Sequence, residues 1–534
     1  MRRSIILNIV SFCIITISLL VNYYGIKLVD KESQLVEWYN FYSCVILCLL
    51  FVILVVLVKG NIEFRLVLTN AIILVGVIES VYAFCQLHGY IESNHDLFNV
   101  TGSFYNPGPL GGYISICAVI ALNQFIENIN QKNKFDRFLL YYSLLGLLCM
   151  LSVLPSTMSR TSWIAFGVAS IYVMFKYFDL RKYINIKVLV IFFFVILSLL
   201  IFFFIIKVDS ALGRIFIWKI SLLALCESPF IGHGNFPKAY MNAQENYFCQ
   251  RKGIKSWEFN VADCPQTAFN DYLTISVEHG VIFTIFLIIL LLLIINRYNK
   301  QREYGFAGAL IAFSIFAFAS YPLRIPAFIS LISYLLIYSF KNIKKVYVVL
   351  FSITFIVYLG GHILNLRSQI AICKDKEVGD FYYYNKRYYE AYSIYAKYSE
   401  YLNWDVNYLF NYGHTLHKIG KYEESNKILF KAQELSNDVM ILNIIGKNFF
   451  EMKDYEQSKF YLRRSMRILP NRIYSVYLLY NVIYQEYFET YNINLLADLD
   501  ELARIVLNTK FKIENSKTSK FRDAVLQKHL ELRK

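Results

Sequence analysis

Charged residues are scarce in this sequence. Asp, Glu, Lys and Arg make up 17% of its 534 residues and hydrophobic residues 57%, whereas a water-soluble protein carries roughly a quarter charged residues. The scarcity ends near Leu366, because the chain up to that point is a series of long apolar runs and the remainder is rich in charge, Tyr and Asn. We therefore predict a membrane domain over 1–366 and a soluble domain over 367–534.

Two patterns that would point to other functions are also missing. No Arg-rich tract is interleaved with stacking aromatics, so the net charge of +15 does not indicate a nucleic-acid partner. Basic cytoplasmic loops of a membrane protein explain that charge. No cluster of metal-ligating residues occurs either, and we predict neither a metal nor a cofactor.

About eleven apolar runs are long enough to cross a bilayer, which requires roughly 20 residues per helix. Arg2 and Arg3 precede the first run as in a signal peptide, but no small-residue cleavage site follows it, so we expect an uncleaved span. The predicted spans are 4–26, 41–58, 64–86, 109–126, 138–155, 161–178, 188–207, 281–296, 305–321, 325–340 and 346–366.

The charges of the short loops predict the orientation of these spans. If the N-terminus is cytoplasmic, every cytoplasmic loop is basic, as the positive-inside rule requires. The basic residues concerned are Lys59, Arg65, Lys132, Lys134, Arg137, Arg181, Lys182, Lys187, Arg297, Lys300, Arg302, Lys341, Lys344 and Lys345. The loops at 87–108 and 208–280 then lie on the outer side, and the odd number of spans places the C-terminal domain there as well.

Cysteines add one prediction about the longest outer loop. Most of the ten cysteines lie in or near apolar runs, where they act as small hydrophobic residues. Cys249 and Cys264 differ because both lie in the loop at 208–280, where oxidation is allowed. They either form a disulfide that closes the loop or remain as two free thiols.

The soluble domain contains an internal repeat. The segment KYEES at 421–425 recurs 33 residues later as DYEQS at 454–458, and RYYEA at 387–391 precedes the first by 34 residues. Gly413 and Gly446 each lie nine positions before the repeated Tyr. The pattern resembles tetratricopeptide repeats, which are helix pairs of about 34 residues. We predict an all-α fold in which a polytopic membrane helix bundle is followed by an α-solenoid. The solenoid either binds a protein partner or serves as a spacer.

Four polar segments on the outer side are candidates for a functional site. Charged side chains and irregular backbone cost free energy at a membrane, so their presence there indicates a function. The first, at 101–112, is rich in Gly and Pro, and its Asn106 could offer an amide to a polar ligand; otherwise it is a plain turn. The second, at 159–163, places Arg160 beside an apolar span, where it either binds an anion or reaches lipid phosphates.

The third segment, at 213–219, opens an amphipathic helix that ends near Leu225, and we expect this helix to lie along the membrane surface. Arg214 would sit at headgroup depth, where its planar guanidinium matches phosphate oxygens. The alternative is a helix that only anchors the loop. The fourth segment, at 266–280, gathers polar and ionisable groups where the loop meets the membrane, or is only a helix cap.

In this order, the four segments resemble the O-antigen ligase superfamily, which includes O-antigen ligases, O-antigen polymerases and protein O-oligosaccharyltransferases. The resemblance covers about 95–325, and some members also carry a C-terminal tetratricopeptide domain. The residues that match the family pattern are Gly102, Phe104, Asn106, Pro107, Ser159, Arg160, Arg214, Pro229, Gly232, Gly234, Asn270 and Leu273.

The resemblance implies glycosyl transfer at the outer face of the bacterial inner membrane, in which the C-terminal domain is periplasmic. The donor would be a glycan on undecaprenyl pyrophosphate, and the acceptor a lipid, a glycan or a protein. Arg214, Arg160 and Arg324 would bind the pyrophosphate and stabilise its charge, and Asn106 would contribute to substrate binding. The chemistry implied needs no metal and no nucleotide.

The chain departs from the family at one position. The family has a His, usually treated as catalytic, directly before Asn270, and here that residue is Phe269. Glu278 or His279 is the base that we favour for the acceptor hydroxyl. His233 and Asp271 are two further candidates for this base, which we also assign to substrate binding, and we count Asn270 and Arg214 among the catalytic residues.

Two other classes of function remain open. A transporter or flippase for lipid-linked glycans would show paired charges or broken helices at mid-membrane depth and an internal duplication of its spans. The sequence shows no buried acid–base pair and no such duplication, and Glu79 is the clearest ionisable residue within the spans. A non-catalytic scaffold that presents the repeat domain is the other class, and Phe269 is the residue that favours it.

Overall fold

The computed structural model of the protein describes residues 2–20, 34–57, 63–178, 208–250, 256–339 and 345–532. These residues form helices joined by short connections, and no β-strand occurs among them apart from one isolated bridge between His95 and Phe98. The all-α prediction is therefore confirmed. The predicted span at 188–207 lies outside the described residues.

The helices of the first part of the chain are α1 (Arg2–Leu19), α2 (Gln34–Leu57), α3 (Phe64–Leu87), α4 (Pro107–Asn128), α5 (Lys134–Val153), α6 (Arg160–Tyr177), α7 (Val208–Glu227), α8 (Phe236–Gln250), α9 (Ser256–Val261), α10 (Asp271–His279), α11 (Val281–Lys300), α12 (Tyr304–Phe318) and α13 (Pro326–Ser339). Two short 3₁₀ helices, Leu154–Thr157 and Pro322–Arg324, precede α6 and α13.

The helices of the second part are α14 (Lys345–Tyr384), α15 (Tyr388–Tyr398), α16 (Val406–Lys418), α17 (Tyr422–Leu435), α18 (Val439–Glu451), α19 (Tyr455–Ile468), α20 (Ile473–Thr490), α21 (Leu495–Asn508) and α22 (Ser516–Glu531). The predicted last span, 346–366, occupies the first half of α14.

The chain divides into two compact units. Unit 1 consists of Met1–Phe203, Phe269–Tyr272 and Ile285–Ile370, and unit 2 consists of Phe204–Ala268, Leu273–Thr284 and Ala371–Lys534. The long loop thus belongs to the same unit as the C-terminal domain.

Helix α4 lies at the centre of unit 1 and packs against α3, α5, α6 and α12. Glycine permits this close packing: a methyl group on Gly112 would lie 2.4 Å from the ring of Phe316, and one on Gly76 of α3 would lie 2.7 Å from Cys117 Cβ. Small residues at such contacts let membrane helices approach closely. The Gly-rich run at 109–126 is consequently the interior helix of the bundle.

Several described helices have the length and composition of membrane spans. Those long and apolar enough to cross a bilayer are α3, α4, α5 with the 3₁₀ turn that follows it, and α11. Shorter apolar segments lie in α1, α2, α12 and α13. These helices support a multi-pass membrane protein, while the predicted count of eleven stays a prediction.

One end of unit 1 is closed by an ion-pair network. Arg65, at the start of α3, pairs with Glu127 at the end of α4 and with Glu303 directly before α12, each at 2.5 Å. The Tyr177 hydroxyl donates to Glu127 over 2.7 Å, and the Tyr338 hydroxyl donates to Glu303 over 2.9 Å. Helices α3 and α12 therefore begin at this end and α4, α6 and α13 end there, so α3 runs antiparallel to α4 and α12 runs antiparallel to α13.

The repeat predicted for the C-terminal domain is visible as helix pairs in unit 2. The turns inside successive pairs contain Lys386, Gly420 and Lys453 with φ of 61°, 82° and 62°. A residue with left-handed backbone conformation therefore recurs after 34 and then 33 positions. The Ser425 hydroxyl donates to the Gly413 carbonyl and the Ser458 hydroxyl to the Gly446 carbonyl, at 2.6 and 2.7 Å. The helix pairing is therefore observed, and the tetratricopeptide assignment stays a resemblance.

The long loop is bonded to the third of these helix pairs, within unit 2. Glu245 of α8 accepts hydrogen bonds from both Nε and Nη2 of Arg464 of α19, with Nη2 and Oε2 2.9 Å apart. The fully buried Gln244 donates to the Ile468 carbonyl over 2.7 Å. Asn471 donates to three carbonyls of the loop, those of Phe259 and Ala262 over 2.9 Å and that of Asn260 over 3.4 Å.

This docking constrains the topology. Segments that contact each other lie on the same side of a membrane, so the chain between the loop and the repeat domain must cross it an even number of times. The four spans predicted between residues 281 and 366 satisfy that requirement.

Candidate functional site

The turn at 101–106 is held by two polar side chains of α3. Gln86 Oε1 accepts hydrogen bonds from the backbone N–H groups of Thr101 and Gly102, at 2.9 and 2.7 Å. The buried carboxylate of Glu79 accepts bonds from the Ser103 N–H at 3.0 Å and the Ser103 hydroxyl at 2.5 Å. The ionisable residue noted within the spans thus has a structural task, which is to fix this turn.

Asn106 follows the turn and precedes α4, which begins with Pro107. Its side chain makes no capping bond to the helix. Instead, its Nδ2 donates to the hydroxyl of Tyr321 over 3.3 Å. The half-buried amide therefore points sideways, toward the connection between α12 and α13.

The Ser159–Arg160 pair begins α6 beside the first turn of α4. A methyl group on Gly111 would lie 2.9 Å from Ser162 Oγ and 3.1 Å from Ser159 Cβ, and these two serine hydroxyls are 2.6 Å apart. The N-termini of α4 and α6 are consequently in contact. The Arg160 side chain is half-buried at this contact.

The segment at 269–272 meets the same end of unit 1. The Phe269 ring packs edge-on against Tyr321, with ring centroids 5.6 Å apart. The buried Asp271 accepts a hydrogen bond from the Leu323 N–H over 2.8 Å. Arg324, next in the chain, is exposed.

Three of the four predicted segments therefore assemble at one end of unit 1, which we call the Asn106 end. Asn106, Arg160, Asn270, Asp271 and Arg324 all belong to it. The N-termini of α4, α6 and α10 lie there, and helix N-termini carry partial positive charge that favours anions. The Arg65 network lies at the opposite end of α4.

Sequence reasoning missed Tyr321. Its hydroxyl accepts a hydrogen bond from the Asn106 side-chain amide, and its ring packs on Phe269. Tyr321 therefore joins the first and fourth segments. Its only sequence signal is its place directly before Pro322, at the end of a predicted span. Phe269 itself has a φ of 50°, which is unusual for a bulky residue and marks local strain at this position.

Arg214 lies on α7, in unit 2, and its side chain is half-buried. Two residues further, Phe216 packs against Tyr247, Phe248 and Trp257, with ring centroids 5.8 to 6.4 Å apart. This aromatic cluster fixes α7 to α8 and α9. A helix is present over the predicted stretch 214–225 and is longer than expected, because it extends from Val208 to Glu227.

Lys219 of α7 strengthens the same packing. Its ammonium donates to the buried carboxylate of Glu258 and, over 2.7 Å, to the Tyr247 hydroxyl. Burial alone would lower the pKa of Lys219, but the hydrogen bonds to Glu258 and Tyr247 raise it. The lysine therefore stays charged and acts as a structural ion pair.

His233 lies between two glycines that allow close backbone packing. Gly232 and Gly234 have φ of 77° and 73°, and a methyl group on Gly232 would lie 2.4 Å from the Glu278 carbonyl oxygen. His233 donates its backbone N–H to the Val277 carbonyl, and its ring Nε2 lies 2.7 Å from the Ala224 carbonyl. That ring nitrogen is thus occupied by the backbone.

The two favoured bases lie at the end of α10, in unit 2. Glu278 is half-buried, and His279 is exposed with its ring edge-on to Phe283 at 5.6 Å. Both side chains are therefore at least partly accessible to solvent.

The possible disulfide in the loop does not form, because Cys249 and Cys264 are both free thiols. Burial, together with the charges of Asp438 and Asp263, raises the pKa of the Cys264 thiol. Within the described part of the chain, no group of three or more His, Cys, Asp or Glu side chains is arranged to hold a metal ion.

Comparison with known families gives a match for part of the chain. Residues 145–288 match the family described as O-Antigen ligase, which confirms the predicted resemblance over that segment. The matched stretch contains Arg160, Arg214 and the segment at 269–272. No curated protein matches the chain. At a general level, the match and the apolar helices indicate a multi-pass membrane protein with ligase or glycosyltransferase activity.

Proposed function

We propose that the protein transfers a glycan from undecaprenyl pyrophosphate to a lipid, glycan or protein acceptor on the outer face of the bacterial inner membrane. The observation that carries this proposal is the Asn106 end of unit 1. There Arg160, which lies within the O-Antigen ligase match, shares one end of the helix bundle with Asn106 and Arg324.

Donor binding follows from the charges at that end. Arg160 and Arg324 supply guanidinium groups that bind phosphate oxygens through paired hydrogen bonds, and the N-termini of α4 and α6 add partial positive charge. Positive groups at this position would stabilise the charge that develops on the departing pyrophosphate. Arg214, on α7 of unit 2, is the third residue that we assign to the pyrophosphate.

The reaction breaks the bond between the anomeric carbon of the glycan and the pyrophosphate oxygen, and forms a bond between that carbon and the acceptor oxygen. The acceptor hydroxyl loses its proton to a base, and undecaprenyl pyrophosphate leaves. Phe269 cannot accept this proton. Glu278 and His279 remain the favoured bases, because Nε2 of His233 is bonded to a backbone carbonyl and Asp271 is buried against Leu323 N–H.

A transfer assay with the purified full chain tests this function. The protein is mixed with an undecaprenyl-pyrophosphate-linked glycan and with a lipid, glycan or peptide acceptor, without any nucleotide. Transfer to one acceptor class supports the proposal and identifies the acceptor. Loss of transfer in the Glu278→Gln, His279→Gln double variant, but not in Glu92→Gln on an exposed outer loop, supports the assignment of the base.

One observation favours a second candidate function, a non-catalytic scaffold. Phe269 occupies the position before Asn270, and its ring is packed against Tyr321, so the segment at 269–272 offers no proton acceptor of the family type. The same assay separates the two functions, because a scaffold gives no transfer with any acceptor class.

A further inference from the structure

Helix α7 has two apolar faces. One face, formed by Phe216, Ile217 and Ile220, is buried in the packing of the loop. The other face carries Ile215, Leu222 and Leu223, which are 46%, 52% and 41% exposed. These side chains recur seven and eight positions apart, so they form one stripe along the helix.

The apolar surface continues beyond the end of α7. Phe230 and Ile231 occupy the following turn and are 69% and 84% exposed. The turn is rigid, because Val281 N–H donates to the Pro229 carbonyl over 2.8 Å and a methyl group on Gly280 would lie 1.9 Å from the Phe230 carbonyl oxygen. The exposure of the two side chains is thus imposed by the backbone.

The same surface reaches the start of α11. Ile282 and Phe283 follow Val281 directly and are 63% and 43% exposed. We call the whole surface the loop apolar patch; it consists of Ile215, Leu222, Leu223, Phe230, Ile231, Ile282 and Phe283.

Helix α11 indicates what covers this patch. It is long and apolar enough to cross a membrane, and 17% of its apolar stretch is buried within the protein, so most of that stretch is left uncovered by the described residues. The patch includes Ile282 and Phe283 in the first turn of that helix, and the Val281–Pro229 hydrogen bond joins this turn to the turn that carries Phe230 and Ile231. It therefore lies at the level where α11 enters the bilayer, and a lipid surface is the occupant that fits it.

We propose that the loop apolar patch is inserted into the lipid leaflet on the loop side, with Phe230 and Ile231 as its deepest residues. Arg214 lies one position before Ile215, at the rim of the exposed stripe of α7, so insertion places its guanidinium at the depth of lipid phosphates. If the phosphate that Arg214 meets belongs to the glycan donor, that contact rests on the proposed function. The insertion of the patch into the leaflet does not rest on it.

The test measures the contact between lipid acyl chains and one tryptophan added to the full chain. Phe230→Trp and Leu222→Trp are each placed in phosphatidylcholine–phosphatidylglycerol nanodiscs, with and without bromine on the acyl chains. Tyr389→Trp, on an aromatic that is 73% exposed in the repeat domain, is the matched control. The emission of the wild-type protein is subtracted, because it has five tryptophans of its own.

We expect the added tryptophan at 230 or 222 to emit at shorter wavelength than the control and to lose emission when the chains carry bromine. No loss at either position, with emission like that of Tyr389→Trp, would overturn the proposal. A shift to shorter wavelength without loss to bromine would also overturn it, because a protein surface or a second copy would then cover the patch. Since the measurement needs no donor or acceptor, it stands whether or not glycan transfer is found.

Discussion

His414 and His417, on α16 of the repeat domain, are single residues whose protonation bears on stability. The Tyr383 hydroxyl and His414 Nδ1 are 2.6 Å apart, and His417 Nδ1 lies 2.7 Å from Asn448 Oδ1. Burial, with the positive charge of nearby lysines, lowers the pKa of His414 to about 3 and that of His417 to about 4. Both rings are therefore neutral in the folded domain.

This difference predicts a loss of stability in acid. The unfolded chain binds a proton at each His near pH 6.5 while the folded domain does not, so stability falls as the pH drops below that value. At pH 5 the loss is about 2 kcal/mol for each His. Thermal unfolding of the repeat domain, followed at pH 7.5 and pH 5, measures it.

The control is the His414→Gln, His417→Gln double variant. It should unfold with a smaller difference between the two pH values than the wild type. An equal difference in both proteins would contradict the assignment of the effect to these two residues.

Some residues of the candidate site can be proposed from the sequence and others cannot. Asn106, Arg160 and Asp271 can be proposed from the sequence because each stands in a polar segment within an apolar sequence, and their role in a site stays a prediction. Tyr321 was missed because it is 215 positions from Asn106, and no local pattern links the two. The role of Glu79 was also hidden, since a carboxylate within a span has the same sequence signature whether it binds a ligand or holds a turn.

At the scale of elements, the docking of α8 on α19 carries a prediction. Arg464 and Arg463 are neighbours on α19, but Arg464 pairs with Glu245 of the loop while Arg463 pairs with Asp498 of α21. The side chains of the first pair are 18% and 14% exposed and those of the second 41% and 40%. Exposed pairs contribute little, and shielded, doubly hydrogen-bonded pairs contribute more.

Arg464→Ala should therefore loosen the loop, and Arg463→Ala should not. We expect the free energy for local opening of α8 to fall by about 1–3 kcal/mol in the first variant and by less than about 1 kcal/mol in the second. Hydrogen exchange of the amides at 236–250 measures both. Equal exchange in the two variants would show that the Arg464–Glu245 contact does not hold the loop.

The repeat helices were predictable and their docking was not. Gly413, Gly446 and the repeated Tyr recur at a fixed period. The residues that pack within one repeat are close in sequence, so the period can be read from the sequence. Gln244 and Asn471 contact partners 224 and 212 positions away. Such polar contacts leave no periodic trace, and the loop and the repeats were accordingly predicted as separate features.

At the scale of the whole molecule, the docking predicts which segments share a side of the membrane. Cys249 of the loop is exposed, and a cysteine in place of the exposed Lys431 reports on the repeat domain. Cys373 is a poorer reporter, because burial raises the pKa of its thiol to about 11. Both Cys249 and Lys431→Cys should react with an impermeant maleimide from outside the cell membrane.

A cysteine in place of Lys132, in the loop between α4 and α5, is the control and should react only after permeabilisation. If Cys249 and Lys431→Cys reacted from different sides, the docking of the loop on the repeat domain would be wrong. If both reacted only after permeabilisation, the docking would stand and the predicted orientation would be reversed.

The central claim is that the Asn106 end binds a lipid-linked pyrophosphate donor for glycan transfer. The most direct measurement compares transfer rates of Arg160→Ala and Arg137→Ala, full-length in nanodiscs, with an undecaprenyl-pyrophosphate-linked glycan and no nucleotide. Arg137 is exposed at the start of α5, near the opposite end of the bundle. Loss of charge-assisted hydrogen bonds worth about 1.5–3 kcal/mol should slow Arg160→Ala by about 10- to 100-fold, with Arg137→Ala at the wild-type rate. Normal transfer by a correctly inserted Arg160→Ala protein would contradict the claim.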